Sequence, residues 1–307
     1  MQRGACWGCV GVDRTCALQN VMIERKRFLL GFVCHAGEGL TRGHLMRWLF
    51  LLRQEQPQAL RVSTFYDFVP HKEGPHSFQV CRDVKGLQEA GLLTGDHRDQ
   101  LSVAPPERAH VRRVVQTLPR RAAKGVEAIL RTYGGMTPDQ LSHDVSRRYS
   151  WYGQGTCWPL TPTQLAIYTV GYEGRTIDGL LRHLIRSGIR QLIDVRKNAL
   201  SRKYGFAGKT MARLCAEVDI AYVHVPALGI PSTMRVDRPS LTAYDRLFDM
   251  YETTILPGAG DSIASVAGLC TRKPSALMCF EASSRQCHRG RLALHLAPAS
   301  GLDVKHL

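Results

Sequence analysis

Two cysteines, a histidine and a glutamate lie close together near the end of this sequence. Cys279 and Glu281 close a short apolar run, and Cys287 and His288 follow within a few residues. A thiol beside an imidazole pairs a nucleophile with a base, because the thiolate is the form that attacks. We rank Cys287 ahead of Cys279, since the start of a helix flanked by arginines is expected to lower a thiol pKa. The first interpretation is nucleophilic catalysis.

Further polar residues follow other apolar runs that are typical of strands. His224 follows one of these runs and is the second candidate base. The carboxyl ends of parallel strands meet at one edge of a sheet, so these residues are expected to share a pocket. Arginines there favour a phosphate or carboxylate, which predicts an anionic small molecule or a nucleotide as the ligand. The expected substrate-binding residues are Gly171, Tyr172, Glu173, Asp194, Arg196, Arg289 and Arg291.

Other interpretations of these residues stay open. A free cysteine is often a small buried hydrophobe, and Asp194 with Arg196 also fits a buried ion pair. The ligand types of Cys279, Cys287, His288 and His224 suit zinc, but the spacing lacks a Cys-x-x-Cys knuckle. We therefore expect no metal and no other cofactor. A non-catalytic protein that senses a nucleotide-like ligand is the main alternative to an enzyme.

Strands and helices alternate through the second half of the chain. Apolar runs at 166–170, 191–195, 221–226 and 276–280 are separated by amphipathic stretches. This alternation predicts an α/β fold, with a parallel sheet covered by helices on both faces.

Motifs in the same half resemble a known family. Thr-Val-Gly-Tyr-Glu-Gly at 169–174, Asp-Val-Arg at 194–196, a Tyr-x-His-x-Pro-x-Leu-Gly run at 222–229 and Cys-His-Arg at 287–289 occur in order. Their spacing resembles that of the bacterial domain of unknown function 488, over about residues 168–307. The resemblance implies a flavodoxin-like or Rossmann-like domain and leaves the activity open.

The first half predicts a mainly helical domain. Thr41 precedes a helical apolar pattern, a Pro-rich and Gly-rich turn follows at 70–76, and a second helix ends at Gly91 before a short β-like tail. Residues 22–158 faintly resemble Panacea or SocA-like winged-helix-type domains, which implies DNA or protein binding. An arginine-rich amphipathic segment follows the tail. Its expected nucleic-acid-binding residues are Arg112, Arg113, Arg120 and Arg121.

Length and composition set the wider expectations. The 307 residues carry 41 Lys and Arg against 26 Asp and Glu, a net charge of +15 that favours DNA or RNA as a partner. Ten cysteines without a signal peptide indicate a reducing cytoplasm, and no apolar run approaches the ~20 residues of a membrane span. We expect a disordered leader at 1–21, a helical domain at 22–158 and an α/β domain at 159–307. The predicted function is an enzyme acting on a nucleotide or nucleic-acid-derived anion, and the alternative is a DNA-binding or partner-binding regulator.

Overall fold

The computed structural model describes residues 23–37, 40–61, 64–95, 100–153, 163–234 and 241–307. The expected leader and Cys157 lie outside these ranges. The described chain forms two compact units, one from residues up to 66 and from 83 to 141, the other from 67–82 and 142–307. The units therefore do not divide at the expected 158/159 boundary. Val69 and Phe78 pack into the apolar core of the second unit, which explains why 67–82 belongs to it.

The first part of the chain is mainly helical, with short antiparallel strands. Thr41 caps α2 as predicted, accepting a hydrogen bond from the backbone N–H of His44 at 3.2 Å. Strands β1, β5 and β4 form an antiparallel sheet in that order, and β2 pairs with β3 as a hairpin. The elements are α1 (Glu24–Ala36), β1 (Leu40–Thr41), α2 (Arg42–Glu55), β2 (Val69–His71), β3 (Gly74–His76), α3 (Phe78–Glu89), β4 (Leu93–Gly95), β5 (Gln100–Val103), α4 (Arg108–Gln116), α5 (Arg120–Tyr133) and α6 (Pro138–Arg148).

The second unit contains the predicted parallel sheet. Its five strands lie in the order β10-β6-β9-β7-β8, and every neighbouring pair is parallel. The α/β class is confirmed, but this order matches neither the flavodoxin-like nor the Rossmann-like sheet. The elements are β6 (Ile167–Gly171), α7 (Ile177–Arg186), β7 (Gln191–Asp194), α8 (Gly208–Ala216), β8 (Ala221–His224), α9 (Leu241–Met250), α10 (Gly260–Arg272), β9 (Ser275–Cys279), α11 (His288–Ser300) and β10 (Val304–His306).

Each face of this sheet carries its own apolar core. Alternate residues of β9 divide between them, since Met278 packs with α7 and α8, whereas Leu277 and Cys279 pack with α10 and α11. The continuous burial of β9 follows from helices on both sides. Among the described residues, no helix combines the length and apolar character needed to cross a bilayer.

Candidate functional site

At the centre of the sheet, the helices that follow neighbouring strands lie on opposite faces. The helix after β9 is α11, and it packs on one face, whereas α7 and α8, which follow β6 and β7, pack on the other. Because β9 lies between β6 and β7, the connections diverge on both sides of its carboxyl end. Open α/β sheets bind their ligands at such points. Cys279, the last residue of β9, therefore occupies a favourable position for a site.

Three of the predicted site residues converge at this point. Ligand atoms of Cys279, Cys287 and His288 all lie within 4.8 Å of one another. His288 Nδ1 is 3.8 Å from Cys279 Sγ and 4.0 Å from Cys287 Sγ. Glu281 Oε2 lies 3.5 Å from Cys279 Sγ and extends the cluster toward the half-buried loop. The fold thus brings Cys279 close to Cys287, although the two are eight positions apart in the sequence.

The environment of Cys287 differs from the sequence prediction. Cys287 precedes the first turn of α11, as expected, but its side chain is only 1% exposed. Burial raises the pKa of this thiol well above its usual value, and the neighbouring Cys279 adds to the rise. The prediction of a lowered pKa was wrong, because desolvation outweighs the favourable effect of His288. A buried, protonated thiol is a poor nucleophile.

His288 is fixed in one orientation by its surroundings. Its Nε2 lies 3.0 Å from the backbone oxygen of Val195, which can only accept a hydrogen bond. Nε2 therefore carries a proton, and Nδ1 faces the two sulfurs. The Tyr251 ring packs edge-on against the imidazole at 5.4 Å, and the Tyr251 hydroxyl donates to the Leu228 carbonyl. Burial raises the pKa of Tyr251 above its usual value, so this wall of the cluster is neutral.

Arg289 fixes the loop that joins Cys279 to Cys287. Its guanidinium donates to the carbonyl oxygens of Glu281 at 2.6 Å and Ala282 at 2.9 Å. Glu173 accepts a hydrogen bond from the Ala282 N–H at 2.9 Å. These contacts shape the loop around the cluster, and they direct Arg289 and Glu173 to protein partners.

Asp194 and Arg196 form a buried ion pair, one of the two interpretations left open by the sequence. The side chains are 0% and 5% exposed, and the guanidinium Nε donates to Asp194 Oδ1 at 2.8 Å. Arg196 also donates to the Tyr172 hydroxyl at 3.0 Å and to the Phe206 carbonyl at 2.9 Å. Burial alone would lower the pKa of Arg196, but its hydrogen bonds and charge pairing with Asp194 raise it. The pair thus connects the end of β7 to Tyr172, which follows β6, and to Phe206.

The remaining predicted residues have separate partners. His224 Nε2 lies 2.9 Å from the Arg196 carbonyl, outside the Cys–His cluster. Arg291 Nη1 lies 3.6 Å from Glu252 Oε1. A Cβ on Gly171 would overlap the Glu281 carbonyl, so this glycine permits close approach of the loop. The described side chains thus assemble a thiol–imidazole cluster rather than the expected pocket of free arginines.

Two functional neighbours were missed in the sequence. Tyr222 donates from its hydroxyl to Asp194 Oδ2 at 2.7 Å, and Tyr251 forms a wall of the cluster. The available signal for Tyr222 was its place at the start of the Tyr-x-His run at 222–229. Tyr251 lies at helical spacing from Tyr244 and Phe248, which indicates a core residue, and its buried position agrees with that.

The four arginines predicted to bind nucleic acid lie on α4 and α5. Arg112, Arg113, Arg120 and Arg121 are all exposed. Within the described ranges, none of them forms an ion pair. Their charges therefore remain available to solvent or to an anionic partner.

Comparison with known proteins supports one of the two resemblances. Residues 176–296 match the family described as domain of unknown function DUF488, which confirms the resemblance of the second half. The match includes Cys279, Cys287 and His288. No curated protein and no solved structure matches the chain. The resemblance of the first half to Panacea or SocA-like domains stays a prediction.

Proposed function

We propose that this protein is a non-catalytic regulator that binds duplex DNA through its basic first unit. The observation that carries the proposal is the exposed set of arginines on α4 and α5: Arg112, Arg113, Arg120 and Arg121. Phosphate contacts from such side chains supply most of the sequence-independent affinity for DNA. The net charge of +15 adds long-range attraction to the same partner.

The order of the elements supports a DNA-binding fold. Helices α1 and α2 flank β1, and α3 leads into the β4–β5 hairpin. Strand β1 joins that hairpin to give the order β1-β5-β4. Apart from the β2–β3 hairpin, which stands between α2 and α3, winged-helix domains have this succession of helices and strands, with a hairpin after the third helix. The assignment to that fold is part of the proposal.

A binding assay with a matched charge control tests the proposal. Fluorescence anisotropy of a labelled 20-base-pair duplex would be measured with the wild type and with a variant carrying Glu at positions 112, 113, 120 and 121. We expect the variant to bind at least a hundredfold more weakly at the same salt concentration. Four lost phosphate contacts and four added repulsions both act in that direction.

The control variant reverses four exposed basic residues of the second unit instead. These residues are Lys197, Arg202, Lys273 and Arg285. Both variants have the same net charge, so a general charge effect weakens them equally. The proposal requires the first variant to be much the weaker binder, and equal losses would contradict the assigned surface. Tighter binding of single-stranded RNA than of duplex DNA would contradict the choice of ligand.

The thiol–imidazole cluster favours an enzyme as the second candidate function. A substrate would be a nucleotide or another anion bound near Cys279, Cys287 and His288, but the 1% exposure of Cys287 requires the loop to open. Native alkylation followed by peptide mass spectrometry distinguishes the two functions. Rapid modification of Cys279 or Cys287, and loss of turnover in Cys287→Ala, would support the enzyme. The regulator predicts slow modification and unchanged DNA binding in Cys287→Ala.

A further inference from the structure

The cluster of Cys279, Cys287 and His288 has a composition that a core does not require. Two sulfurs and one imidazole nitrogen lie within 4.8 Å of one another, and all three side chains are buried. Thiolate and imidazole are the ligands that zinc and similar transition metals prefer. The arrangement is therefore suited to a metal ion.

The distances require little movement to hold such an ion. In a tetrahedral zinc site with metal–S bonds of about 2.3 Å and metal–N bonds of about 2.0 Å, sulfur and nitrogen ligands are roughly 3.5 Å apart. His288 Nδ1 lies 3.8 Å from one sulfur and 4.0 Å from the other. A contraction of a few tenths of an ångström brings each nitrogen–sulfur pair to the required separation, and the two sulfurs already lie within 4.8 Å of each other.

The histidine presents the ring nitrogen that a metal needs. Its Nε2 donates to the Val195 carbonyl at 3.0 Å, which places Nδ1 toward Cys279 and Cys287. A carbonyl that accepts from the distal ring nitrogen is the usual support of a metal-binding histidine.

The supporting structure also holds the ligands in place. Cys279 ends a central strand, His288 begins a helix, and Arg289 fastens the intervening loop through the Glu281 and Ala282 carbonyls. The Glu281 carboxylate stands beside the cluster, 3.5 Å from Cys279 Sγ. Three ligands from rigid elements and one adjacent carboxylate resemble a site with an open fourth position.

We propose that Cys279, Cys287 and His288 bind one divalent transition metal ion, of which Zn²⁺ fits the ligand set best. Two thiolates balance the charge of a divalent cation, so these three ligands and the ion form a neutral, buried group. The proposal goes beyond DNA binding and does not depend on it.

Metal analysis of the full-length protein tests the site directly. Protein purified without chelator would be dialysed to remove loosely bound ions and measured by inductively coupled plasma mass spectrometry. We expect about one zinc per chain in the wild type and in Cys270→Ser, which alters a buried thiol outside the cluster. Cys279→Ser, Cys287→Ser and His288→Gln should each lose most of the metal.

Cobalt gives a second measurement that uses only the wild-type chain. The chelator-treated protein would be titrated with Co²⁺, and thiolate ligation should appear as near-ultraviolet charge-transfer absorption that saturates at one ion per chain. Bound metal should also protect Cys279 and Cys287 from alkylation until chelator is added. These readings stay informative if a substituted variant fails to fold.

Several results would overturn the metal site. One is a metal content that is the same in the wild type and in folded cluster variants. Another is Co²⁺ binding without charge-transfer absorption. A Cys279–Cys287 disulfide in freshly purified protein would assign the pair to redox chemistry instead. DNA binding does not enter these outcomes, so the metal site and the proposed function stand or fall separately.

Discussion

Asp178 is a buried carboxyl at the start of α7 that holds the first turn of another helix. It accepts hydrogen bonds from the Ser77 hydroxyl and from the backbone N–H groups of Phe78 and Gln79, at 2.9, 2.8 and 3.1 Å. Burial raises the pKa of Asp178 to about 7, although these hydrogen bonds limit the rise. The carboxyl group thus caps α3, although burial disfavours its charged form.

This raised pKa predicts a pH-dependent stability. Between pH ~4 and ~7 the unfolded chain has released the Asp178 proton and the folded chain keeps it, so the free energy of unfolding falls as pH rises. The loss levels off above pH ~7 and amounts to at most about 4 kcal/mol. Urea unfolding from pH 4 to 8 should show that Asp178→Asn is less destabilising at pH 8 than at pH 5. A constant difference, like that expected for the exposed Asp261→Asn, would contradict the assignment.

The buried pair of Asp194 and Arg196 predicts a large and asymmetric effect of substitution. Arg196→Met leaves a buried carboxylate without its partner and should lower the unfolding free energy by about 3 to 5 kcal/mol. Arg196→Lys should recover little, because one ammonium cannot replace guanidinium bonds to Asp194, Tyr172 and Phe206. Urea unfolding measures both changes. The exposed Lys85–Glu89 pair gives the control, since Glu89→Gln should cost about 0.5 kcal/mol or less.

At the scale of elements, the end of β6 and the loop after β9 can lie in close contact because residue 171 is a glycine. A Cβ at Gly171 would overlap the Glu281 carbonyl, whereas one at Gly174 meets no atom within 4 Å. Gly174 has φ +72°, so Gly174→Ala should cost about 1 kcal/mol from backbone strain alone. Gly171→Ala must displace the loop and should cost about 1 to 3 kcal/mol, with faster alkylation of Cys279. Equal costs and unchanged alkylation would show that the loop tolerates the added methyl.

Helices and strands were predicted well, because capping residues and apolar runs are patterns of residues that are close together in the sequence. Thr41 accepts the expected capping bond from His44, Thr176 accepts an equivalent bond from Gly179, and the apolar run before Glu281 forms the central strand β9. The sheet order was not available from the sequence, since it depends on which strands pair across long separations. The same limit applies to the segment 67–82, since Ser77, Phe78 and Gln79 bond to Asp178, which is about 100 residues away along the chain.

The sequence predicted which residues form the candidate site, but it did not predict their burial or their hydrogen-bond partners. Its residues follow strand ends, which a periodic pattern reveals, and three of them converge as expected. Burial of Cys287 and the partners of Arg196 and Arg289 depend on the packed structure. A sequence shows which side chains can bind an anion. It does not show which carbonyl or carboxylate oxygens of the protein already accept hydrogen bonds from those side chains.

At the scale of the whole molecule, charge is the dominant feature. The 41 basic residues outnumber the 26 acidic ones, and this excess underlies our proposal of a polyanionic partner. Arg112, Arg113, Arg120 and Arg121 provide exposed guanidinium groups for it. Because each phosphate contact releases counterions, the number of contacts appears in the salt dependence of binding.

The salt dependence of duplex binding tests the central claim most directly. The dissociation constant would be measured by anisotropy between 50 and about 200 mM salt, a range over which several phosphate contacts change affinity by orders of magnitude. We predict a steep slope for the wild type, and replacement of the four arginines by Gln should reduce that slope by about 3 to 4. A slope that is close to zero, or one that the four substitutions leave unchanged, would contradict DNA binding through this surface.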